Sequence, residues 1–270
     1  MNAILVDVTR CTGCEQCVSA CVEAHHLDPW LAERDRASVK DGLSSHRLLS
    51  IESLTNGRFA RKSCMHCLEP SCASACIVGA LKKTAEGPVT YDPDKCIGCR
   101  YCMMACPFHI PRSEWDKTIP FIKKCDMCVD RLREGKLPAC VEACPHKVLE
   151  YGDRSDLLRK AHLAIRKGGY LPRVWGEKAL GGTCVLYISD VDLSPIGWPG
   201  ENASAIPSLT EPLIRKTPFI GMTVLGSLLG VNWIIRRRMA LSGEENERAE
   251  HFLDGPDSKE TRINGENKEN

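Results

Sequence analysis

Apolar and polar positions alternate in short runs over the first 190 residues, and these runs predict short strands. Residues 3–7 are mostly apolar and predict a strand at the start of the chain, and residues 148–151 predict another one far along it. A third run, at 182–187, has the alternation of a strand and contains Cys184. Because a free cysteine behaves as a small hydrophobe, we expect Cys184 to be buried there.

Two hairpins are predicted between the outer strands. Residues 80–84 and 89–91 flank a Glu86-Gly87 turn, and residues 47–62 contain Asn56-Gly57, a dipeptide that favours tight turns. Aromatic residues make up only 6% of the chain, so these segments have few large side chains with which to form a core. We therefore expect bound groups to form part of the interior.

One long apolar stretch lies near the C-terminus. Residues 217–235 contain no charged side chain, and basic residues flank them on both sides. As a helix this stretch would span about 28 Å, close to the ~30 Å hydrocarbon core of a bilayer. Trp233 lies one turn inside its end, where an interfacial aromatic residue is favoured. We interpret residues 217–236 as a single transmembrane helix rather than as a buried helix of a globular domain.

The segments on either side of this stretch are more polar. Residues 191–216 are interpreted as a linker and residues 237–270 as a polar, disordered tail, because the chain from residue 241 onwards carries nine acidic and four basic residues and few large apolar ones. The first seven residues lack the basic and long apolar regions of a signal peptide, so none is expected.

The candidate chemistry lies in the cysteines. Sixteen of the 17 fall into four groups of four. In chain order, groups one to four are Cys11-x2-Cys14-x2-Cys17-x3-Cys21, Cys64-x2-Cys67-x4-Cys72-x3-Cys76, Cys96-x2-Cys99-x2-Cys102-x3-Cys106 and Cys125-x2-Cys128-x11-Cys140-x3-Cys144. A cubane iron–sulfur cluster takes three thiolates from one compact loop and a fourth from elsewhere, and the bacterial ferredoxin run supplies both. Groups one and three have that spacing, and the other two lengthen only the gap before the third cysteine. The pattern predicts four clusters.

Other uses of these cysteines fit the pattern less well. Structural zinc usually takes two separated Cys-x2-Cys pairs, and a disulfide framework is typical of small secreted chains. The net charge is +1 and there is no basic stripe, so nucleic acid is not an expected partner. The sequence contains no glycine-rich nucleotide motif and no Ser/His/Asp constellation. It therefore indicates electron carriers without a reaction centre.

The predicted strands bear on which cysteine groups share a module. If the strands at 3–7 and 148–151 pair, groups one and four form one ferredoxin-like module, and groups two and three form a second one inserted into it. Spacing alone leaves this open, because groups three and four are as close as groups two and three. The fold class we predict is α+β, with two nested ferredoxin-like modules in a domain at 1–190 that carries an insert at 22–62.

Several stretches around the cysteines resemble the four-cluster, ferredoxin-like electron-transfer subunits of membrane respiratory oxidoreductases. These stretches are Cys64-Met65-His66-Cys67-Leu68-Glu69-Pro70-Ser71-Cys72, Cys96-Ile97-Gly98-Cys99-Arg100-Tyr101-Cys102, Lys124-Cys125-Asp126-Met127-Cys128 and Pro138-Ala139-Cys140-Val141-Glu142-Ala143-Cys144-Pro145. Residues 176–183 and a single C-terminal anchor are similar to the iron–sulfur subunit of hydrogenase-2-type enzymes and to the beta subunit of formate dehydrogenase N. The resemblance covers residues 1 to about 238. Val22 and Ile77 depart from it, because proline commonly follows the fourth cysteine, so the turns there can differ.

The resemblance implies that four [4Fe–4S] clusters are held by nested ligation. The implied ligands are set A (Cys11, Cys14, Cys17 and Cys144), set B (Cys125, Cys128, Cys140 and Cys21), set C (Cys64, Cys67, Cys72 and Cys106) and set D (Cys96, Cys99, Cys102 and Cys76). With every thiolate present, we expect His66 to pack or hydrogen-bond beside a cluster rather than to ligate it. Lys123, Lys124 and Arg100 adjoin cysteines, where they could raise cluster potentials or be solvated surface charges.

The function that the resemblance implies is a non-catalytic subunit of an oxidoreductase complex. It would relay electrons between a catalytic subunit, of hydrogenase or formate dehydrogenase type, and an integral membrane subunit that reacts with quinone. The alternatives are a soluble polyferredoxin shuttle, the equivalent subunit of a molybdopterin reductase, and a reductase that acts on a small molecule at an open iron site.

The charges that flank the apolar stretch predict its orientation in the inner membrane. The C-terminal flank carries Arg236, Arg237, Arg238 and Arg248, against Arg215 and Lys216 on the other side. By the positive-inside rule the tail then lies in the cytoplasm and the cluster domain in the periplasm. The resemblance implies export of the folded subunit bound to a partner that carries a twin-arginine signal.

Overall fold

The computed structural model of the chain describes residues 1–200 and 203–253. The chain divides into two compact units, Met1–Glu211 and Pro212–Asn270. The first unit has a mixed fold of short helices and strands and contains all 17 cysteines. The described part of the second unit is helical.

The helices and strands are short except for two helices near the C-terminus. In chain order they are β1 (Asn2–Asp7), α1 (Gln16–Ala24), α2 (Pro29–Ser38), β2 (Ser50–Ser53), β3 (Phe59–Lys62), α3 (Ser71–Ser74), β4 (Leu81–Lys83), β5 (Val89–Tyr91), α4 (Tyr101–Ala105), β6 (Arg112–Ser113), β7 (Ile122–Lys123), α5 (Val129–Arg133), α6 (Ala139–Glu142), β8 (Leu149–Asp153), α7 (Arg154–Lys167), β9 (Val185–Ile188) and α8 (Ile206–Leu253).

A three-stranded sheet with strand order β8-β1-β9 joins distant parts of the chain. In this sheet β1 pairs antiparallel with β8, with Asn2 opposite Asp153, and parallel with β9, with Ile4 opposite Val185. All four residues of β9 are buried. The two outer strands of the sequence prediction therefore pair, and the pairing brings the end of group four next to the start of group one.

Both predicted hairpins are present as β2–β3 and β4–β5. Asn56 and Gly57, with φ of 58° and 65°, form the turn of the first hairpin. The turn of the second hairpin docks on β1, where Asn2 N donates to Glu86 O at 2.8 Å. Gly87 has φ +130°, and a Cβ there would lie 2.4 Å from Asn2 O. Only glycine fits this close approach of two backbones.

Cysteines form part of both hydrophobic cores. The main core combines the central sheet with Leu43, Met65 and Leu157, and it includes Cys21, Cys64, Cys106, Cys125, Cys140 and Cys184. The second core is small and holds Cys72 and Cys102 with Leu81, Val89 and Ile122. Cys184 is fully buried, as the sequence predicted. It lies directly before β9.

The helix α8 differs in length from the sequence prediction. It includes a segment, Lys216–Ser242, that is long and apolar enough to cross a membrane, with mean hydropathy 1.6. It begins inside the predicted linker at 191–216, and it continues to Leu253 although disorder was predicted from residue 237. The arginine, alanine, leucine and glutamate residues beyond 236 are strong helix formers, which favours the extension of the helix. Residues 254–270 of the predicted tail lie outside the described residues.

Two helices were not expected from the sequence. The helix α2 lies in the 22–62 insert and begins at the Asp28 cap, whose side chain accepts from Trp30 N and Leu31 N. The helix α7 follows β8 directly and is capped by Asp153, and it packs on the sheet through Leu157 and Ala161, four residues apart. The Asp153 cap and the apolar pair Leu157 and Ala161 are sequence signals from which α7 could have been predicted.

Candidate iron–sulfur centres

The four Cys-x-x-Cys loops share one backbone feature. The residue before the second cysteine has a left-handed conformation in each loop. These residues are Gly13 (φ 74°), His66 (φ 49°), Gly98 (φ 71°) and Met127 (φ 63°). The amides of Gly98 and Met127 donate to the sulfur atoms of Cys96 and Cys125, at 3.5 Å and 3.4 Å. The loops therefore turn their backbone N–H groups toward the first thiol.

In three of the four groups, the fourth cysteine is followed by the same kind of turn. The third residue after each has a left-handed conformation, and the amide of the fourth residue donates to the thiol. These amide–sulfur pairs are Ala80 N–Cys76 Sγ (3.2 Å), Ile110 N–Cys106 Sγ (3.5 Å) and Val148 N–Cys144 Sγ (3.4 Å). The turn therefore persists at Ile77 without proline. Val22 is different, because Cys21 and Val22 lie inside α1 and the chain continues as a helix.

The thiols implied for sets A and B lie close enough to affect each other's pKa. Burial raises the pKa of Cys11, and the thiols of Cys144 and Cys14 raise it further. Burial likewise raises the pKa of Cys21, with additional effects from Cys125, Cys140 and Cys128. The fourth thiol of each set thus comes from a sequence position more than 100 residues away from its neighbours.

The thiols implied for sets C and D show the same relation. Burial raises the pKa of Cys67, and Cys64, Cys106 and Cys72 raise it further. Burial raises the pKa of Cys102 to about 11, together with Cys96, Cys76 and Cys99. Cys106 of group three thus lies near thiols of group two, and Cys76 of group two lies near thiols of group three.

High thiol pKa values have a chemical consequence for the binding of iron. Burial raises the pKa of Cys17 and of Cys72 to about 12, and that of Cys128 to about 11. These thiols are protonated at neutral pH when no cation is bound. Because thiolates are the ligands of iron, the binding of a cluster releases their protons and gives the buried anions a positive partner.

The sets also approach one another in a definite order. Cys17 of set A is affected by Cys140 of set B, and Cys125 of set B by Cys64 of set C. Cys72 of set C is affected by Cys102 of set D. The described thiols therefore form a row in the order A, B, C, D.

Of the three basic residues that the sequence singled out, one is buried. Lys124 is 7% exposed, its Nζ donates to Cys125 O at 3.0 Å, and its charge lowers the pKa of nearby Cys72 against the raising effect of burial. Lys123 forms an ion pair with Glu114 at 3.7 Å. The guanidinium of Arg100 stacks on the Trp115 ring at 4.0 Å.

His66 is buried and its imidazole has a defined tautomer. Nδ1 accepts a hydrogen bond from Val89 N at 2.9 Å, which assigns the proton of the neutral ring to Nε2. Burial lowers the pKa of His66, and the charge of Lys124 lowers it further, so the ring is neutral. Nε2 has no hydrogen-bond partner among the described residues. The buried Nε2–H of His66 lacks an acceptor and lies within the Cys-x-His-Cys loop. This arrangement fits a site in which a sulfur atom of a bound cluster is the acceptor.

Taken together, the residues fit [4Fe–4S] clusters. Each set offers four thiols, which is the ligand number of a cubane, and backbone amides point at the sulfur atoms. Buried donors without acceptors, on His66 and on Arg61, lie beside these thiols. Among the described residues one other candidate metal site is formed by His25, Asp126 and Cys128, and it shares Cys128 with set B.

Comparisons with known proteins agree with this chemistry. The family model of the 4Fe-4S dicluster domain matches residues 55–154. The hydrogenase-2 operon protein HybA of Escherichia coli O157:H7 is 32% identical over 275 residues, which cover 87% of this chain and 84% of the relative. This protein belongs to the family of 4Fe-4S electron-transfer subunits of oxidoreductases.

Two further members of this iron–sulfur subunit family cover the cysteine-rich part of the chain. The iron–sulfur subunit of the nitrate-inducible formate dehydrogenase of Escherichia coli K12 is 35% identical over 205 residues, 69% of this chain and 67% of the relative. The B subunit of the anaerobic dimethyl sulfoxide reductase of the same strain is 39% identical over 168 residues, 62% of this chain and 80% of the relative. The family is thus shared by hydrogenase, formate dehydrogenase and sulfoxide reductase systems.

Sequence reasoning missed one buried charged residue beside the thiols. Arg61 is 2% exposed and its Nη2 lies 3.8 Å from Cys140 Sγ. The only signal was an arginine within a predicted hairpin strand, Phe59–Lys62, three residues before Cys64. Which cysteines it meets depends on how the hairpin docks, and the sequence does not specify that.

Proposed function

We propose that the chain holds four [4Fe–4S] clusters on sets A to D and relays electrons through them. The observation that supports the proposal is that one thiol in each set has a pKa affected by other thiols of the same set, and in two sets this joins cysteines near residue 15 to cysteines near residue 140. Each bound cluster supplies a site that accepts and releases one electron.

The side chains and backbone around each set prepare it for this role. The four loops fix their thiols with left-handed residues before the second cysteine. Amide donors at the first and fourth cysteines stabilise negative charge on sulfur. Burial of Cys21, Cys64, Cys106 and Cys125 keeps water away from most of the row, while Cys99 of set D and Cys14 of set A are exposed. Electrons can therefore enter and leave at the two ends.

The partners that this arrangement supports are a catalytic subunit and an integral membrane subunit that reacts with quinone. One cluster suffices for a soluble carrier, whereas a row of four connects two sites that are far apart. Relatives named for hydrogenase-2 and formate dehydrogenase favour a catalytic subunit of one of these types. The chain itself then needs no substrate site, and the proposed role is non-catalytic.

The dimethyl sulfoxide reductase relative supports a second candidate. Its B subunit is 39% identical to the cysteine-rich part of this chain. In a complex of that type the same row would carry electrons toward a molybdopterin reductase instead of away from a dehydrogenase. The identity of the large subunit distinguishes the two candidates.

We also propose that the apolar segment of α8 anchors the subunit in the inner membrane. Its length, 27 residues, corresponds to about 40 Å of helix, more than the ~30 Å needed to cross the hydrocarbon core. The described side chains between Phe219 and Ile235 are exposed, so no part of the described chain covers them. A lipid phase is the environment that an uncovered apolar helix of this length favours.

The experiment that tests the relay is purification of the intact complex from its native membrane under anaerobic conditions. The large subunit is identified, and its substrate oxidation is followed first with a soluble dye and then with a quinone. We expect Cys99→Ser, in set D, to abolish quinone reduction while dye reduction persists. Cys184→Ser, the matched control outside the four sets, should leave both activities unchanged.

Two results would contradict the proposal. One is full quinone reduction by the Cys99→Ser complex. The other is oxidation of hydrogen or formate by the isolated, cluster-loaded chain, which would make it a catalytic subunit.

A further inference from the structure

Arg61 lies between the thiols of sets A and B. Its side chain lines the cavity formed by Cys11, Cys14, Cys17 and Cys144 of set A. Its Nη2 also lies 3.8 Å from the sulfur of Cys140 in set B. One guanidinium therefore reaches both ligand sets.

No carboxylate among the described residues forms an ion pair with Arg61. Nε and Nη1 have no hydrogen-bond partner among the described residues. A buried guanidinium is normally paired and hydrogen-bonded, because leaving its donors unsatisfied is costly. The missing acceptors must be supplied by what the thiols bind.

Another buried arginine of the same insert has a carboxylate partner, although its Nε also lacks a hydrogen-bond partner among the described residues. Arg47 is 3% exposed, and its Nη2 forms an ion pair with Glu15 Oε2 at 3.0 Å. The two arginines are equally buried, but only Arg61 faces sulfur atoms. Burial of a charge in this insert is therefore not in itself unusual, and the sulfur environment is what distinguishes Arg61.

The fold fixes the position of Arg61 from three sides. In β3 it pairs with Ile51, and its carbonyl oxygen accepts a hydrogen bond from the Tyr187 hydroxyl at 3.0 Å. Phe59, two residues earlier and thus on the same face of the strand, packs against Gly13 in the first cysteine loop. A Cβ on Gly13 would lie 2.9 Å from the Phe59 ring. The β2–β3 hairpin is thus docked over the set A loop.

We propose that the hairpin insert places Arg61 as a shared electrostatic partner of the clusters of sets A and B. Its free N–H groups donate to cluster sulfur, and its charge raises both midpoint potentials together. The electron that reduces either cluster comes from the preceding carrier and adds one negative charge, which Arg61 stabilises. This inference rests on the proposed ligand sets A and B. Its effect is to raise the potentials of two adjacent members of the row together.

The test is a redox titration of the full chain, loaded with clusters, followed by paramagnetic resonance. We expect Arg61→Gln to shift the potentials of clusters A and B downward, with about a tenfold change in the ratio of reduced to oxidised cluster at a fixed potential, or ~59 mV. Clusters C and D should keep their potentials. Signals are assigned through variants of one ligand in each set.

Arg154→Gln is the matched control. The guanidinium of Arg154 is also partly buried, but it donates to the carbonyl oxygens of Thr183, Gly176 and Glu177 rather than to sulfur. All four potentials should be unchanged in this variant. If they fall as much as in Arg61→Gln, the effect is general destabilisation and the inference is wrong.

A second measurement covers the case in which Arg61→Gln fails to hold its clusters. Wild-type protein labelled with 15N-arginine should give a weak nitrogen coupling in pulsed spectra of reduced clusters A and B, and Arg61→Lys should lose it. Absence of the coupling in the wild type overturns the inference. If Arg61→Gln holds four intact clusters with unchanged potentials, the inference about Arg61 is wrong but the proposed relay is not contradicted. If wild-type protein lacks clusters A and B, both the inference and the proposed relay are wrong.

Discussion

At the scale of single residues, the shape of the cysteine loops requires a left-handed backbone conformation, which is strained for residues other than glycine. Gly13 and Gly98 adopt the left-handed conformation freely, but His66 and Met127 adopt it at a cost of about 1–2 kcal/mol each. Both side chains are almost completely buried, His66 at 1% and Met127 at 1% exposed. Their packing therefore offsets the backbone cost at positions where glycine has no side chain to pack.

Gly87 provides the clearest single-residue prediction. Gly87→Ala places a Cβ 2.4 Å from the Asn2 carbonyl oxygen, so the β4–β5 turn must move away from β1. We expect a loss of about 2 kcal/mol, which lowers the temperature at which the bound clusters are lost by roughly 4–8 °C. Bleaching of the visible cluster absorption during heating measures this.

Gly57→Ala is the control for the Gly87 prediction. Gly57 also has positive φ, at 65°, but no atom lies within 4 Å of a Cβ built there. The left-handed backbone alone should cost about 1 kcal/mol. Equal shifts for the two variants would mean that the turn does not dock on β1.

The spacing of the cysteines predicts sixteen candidate ligands from the sequence, whereas no pattern in the sequence predicts Arg61. A cysteine loop brings three thiols together by local geometry, so the order of residues along the chain is sufficient information. Arg61 meets Cys140, which is 79 residues away, only because β3 docks beside that loop. Contacts of this kind depend on tertiary packing, and no local pattern encodes them.

At the scale of elements, the pairing of β1 with β8 determines how the cysteine groups meet. The apolar runs at 3–7 and 148–151 were sufficient to predict both strands, and the hairpins followed from their turn residues. The run at 182–187 predicted a strand where β9 lies, but neither the parallel pairing of β9 with β1 nor the helix α7 was predicted. Parallel pairing has no turn signal, and α7 packs through only two fully buried residues, Leu157 and Ala161.

Val22 and Ile77 follow a fourth cysteine without being proline, and we expect these two positions to respond differently when proline is introduced. Ile77 lies in the turn that Pro107 and Pro145 also form, so Ile77→Pro should preserve the clusters and stabilise the protein by about 0.4–1 kcal/mol. Val22 lies inside α1, so Val22→Pro removes a helical hydrogen bond and should cost about 3 kcal/mol. Iron content and cluster loss on heating are the measurements. Similar behaviour of the two variants would contradict the difference between the two turns.

The proposed nested ligation leads to a prediction about Cys144. Cys144→Ala should damage the cluster built on Cys11, Cys14 and Cys17, because these thiols lie next to Cys144. The cluster on Cys96, Cys99 and Cys102 should remain, although it is built on the preceding group in the sequence. Paramagnetic resonance of the reduced variant identifies the lost signal. Loss of the set D cluster with retention of the set A cluster would exclude nested ligation.

At the scale of the whole molecule, a row of clusters and one apolar helix suit a subunit that works at a membrane. By the positive-inside rule, the four arginines after residue 235 and the two basic residues before residue 217 favour a cytoplasmic C-terminus. We predict that protease added to intact spheroplasts removes the cluster domain and leaves a tag on Asn270 protected. Lysed spheroplasts, in which the tag must also be cleaved, are the control. Loss of the tag with protection of the cluster domain would place the relay on the cytoplasmic side.

The central claim is that sixteen cysteines hold four complete clusters, and metal analysis tests it most directly. Anaerobically prepared full-length protein should contain about sixteen iron and about sixteen acid-labile sulfide per chain, four of each per cubane cluster. Mössbauer spectra of the same sample should assign nearly all of that iron to [4Fe–4S] clusters. A preparation dominated by zinc, or one that saturates at about eight iron with every cysteine intact, would contradict the account.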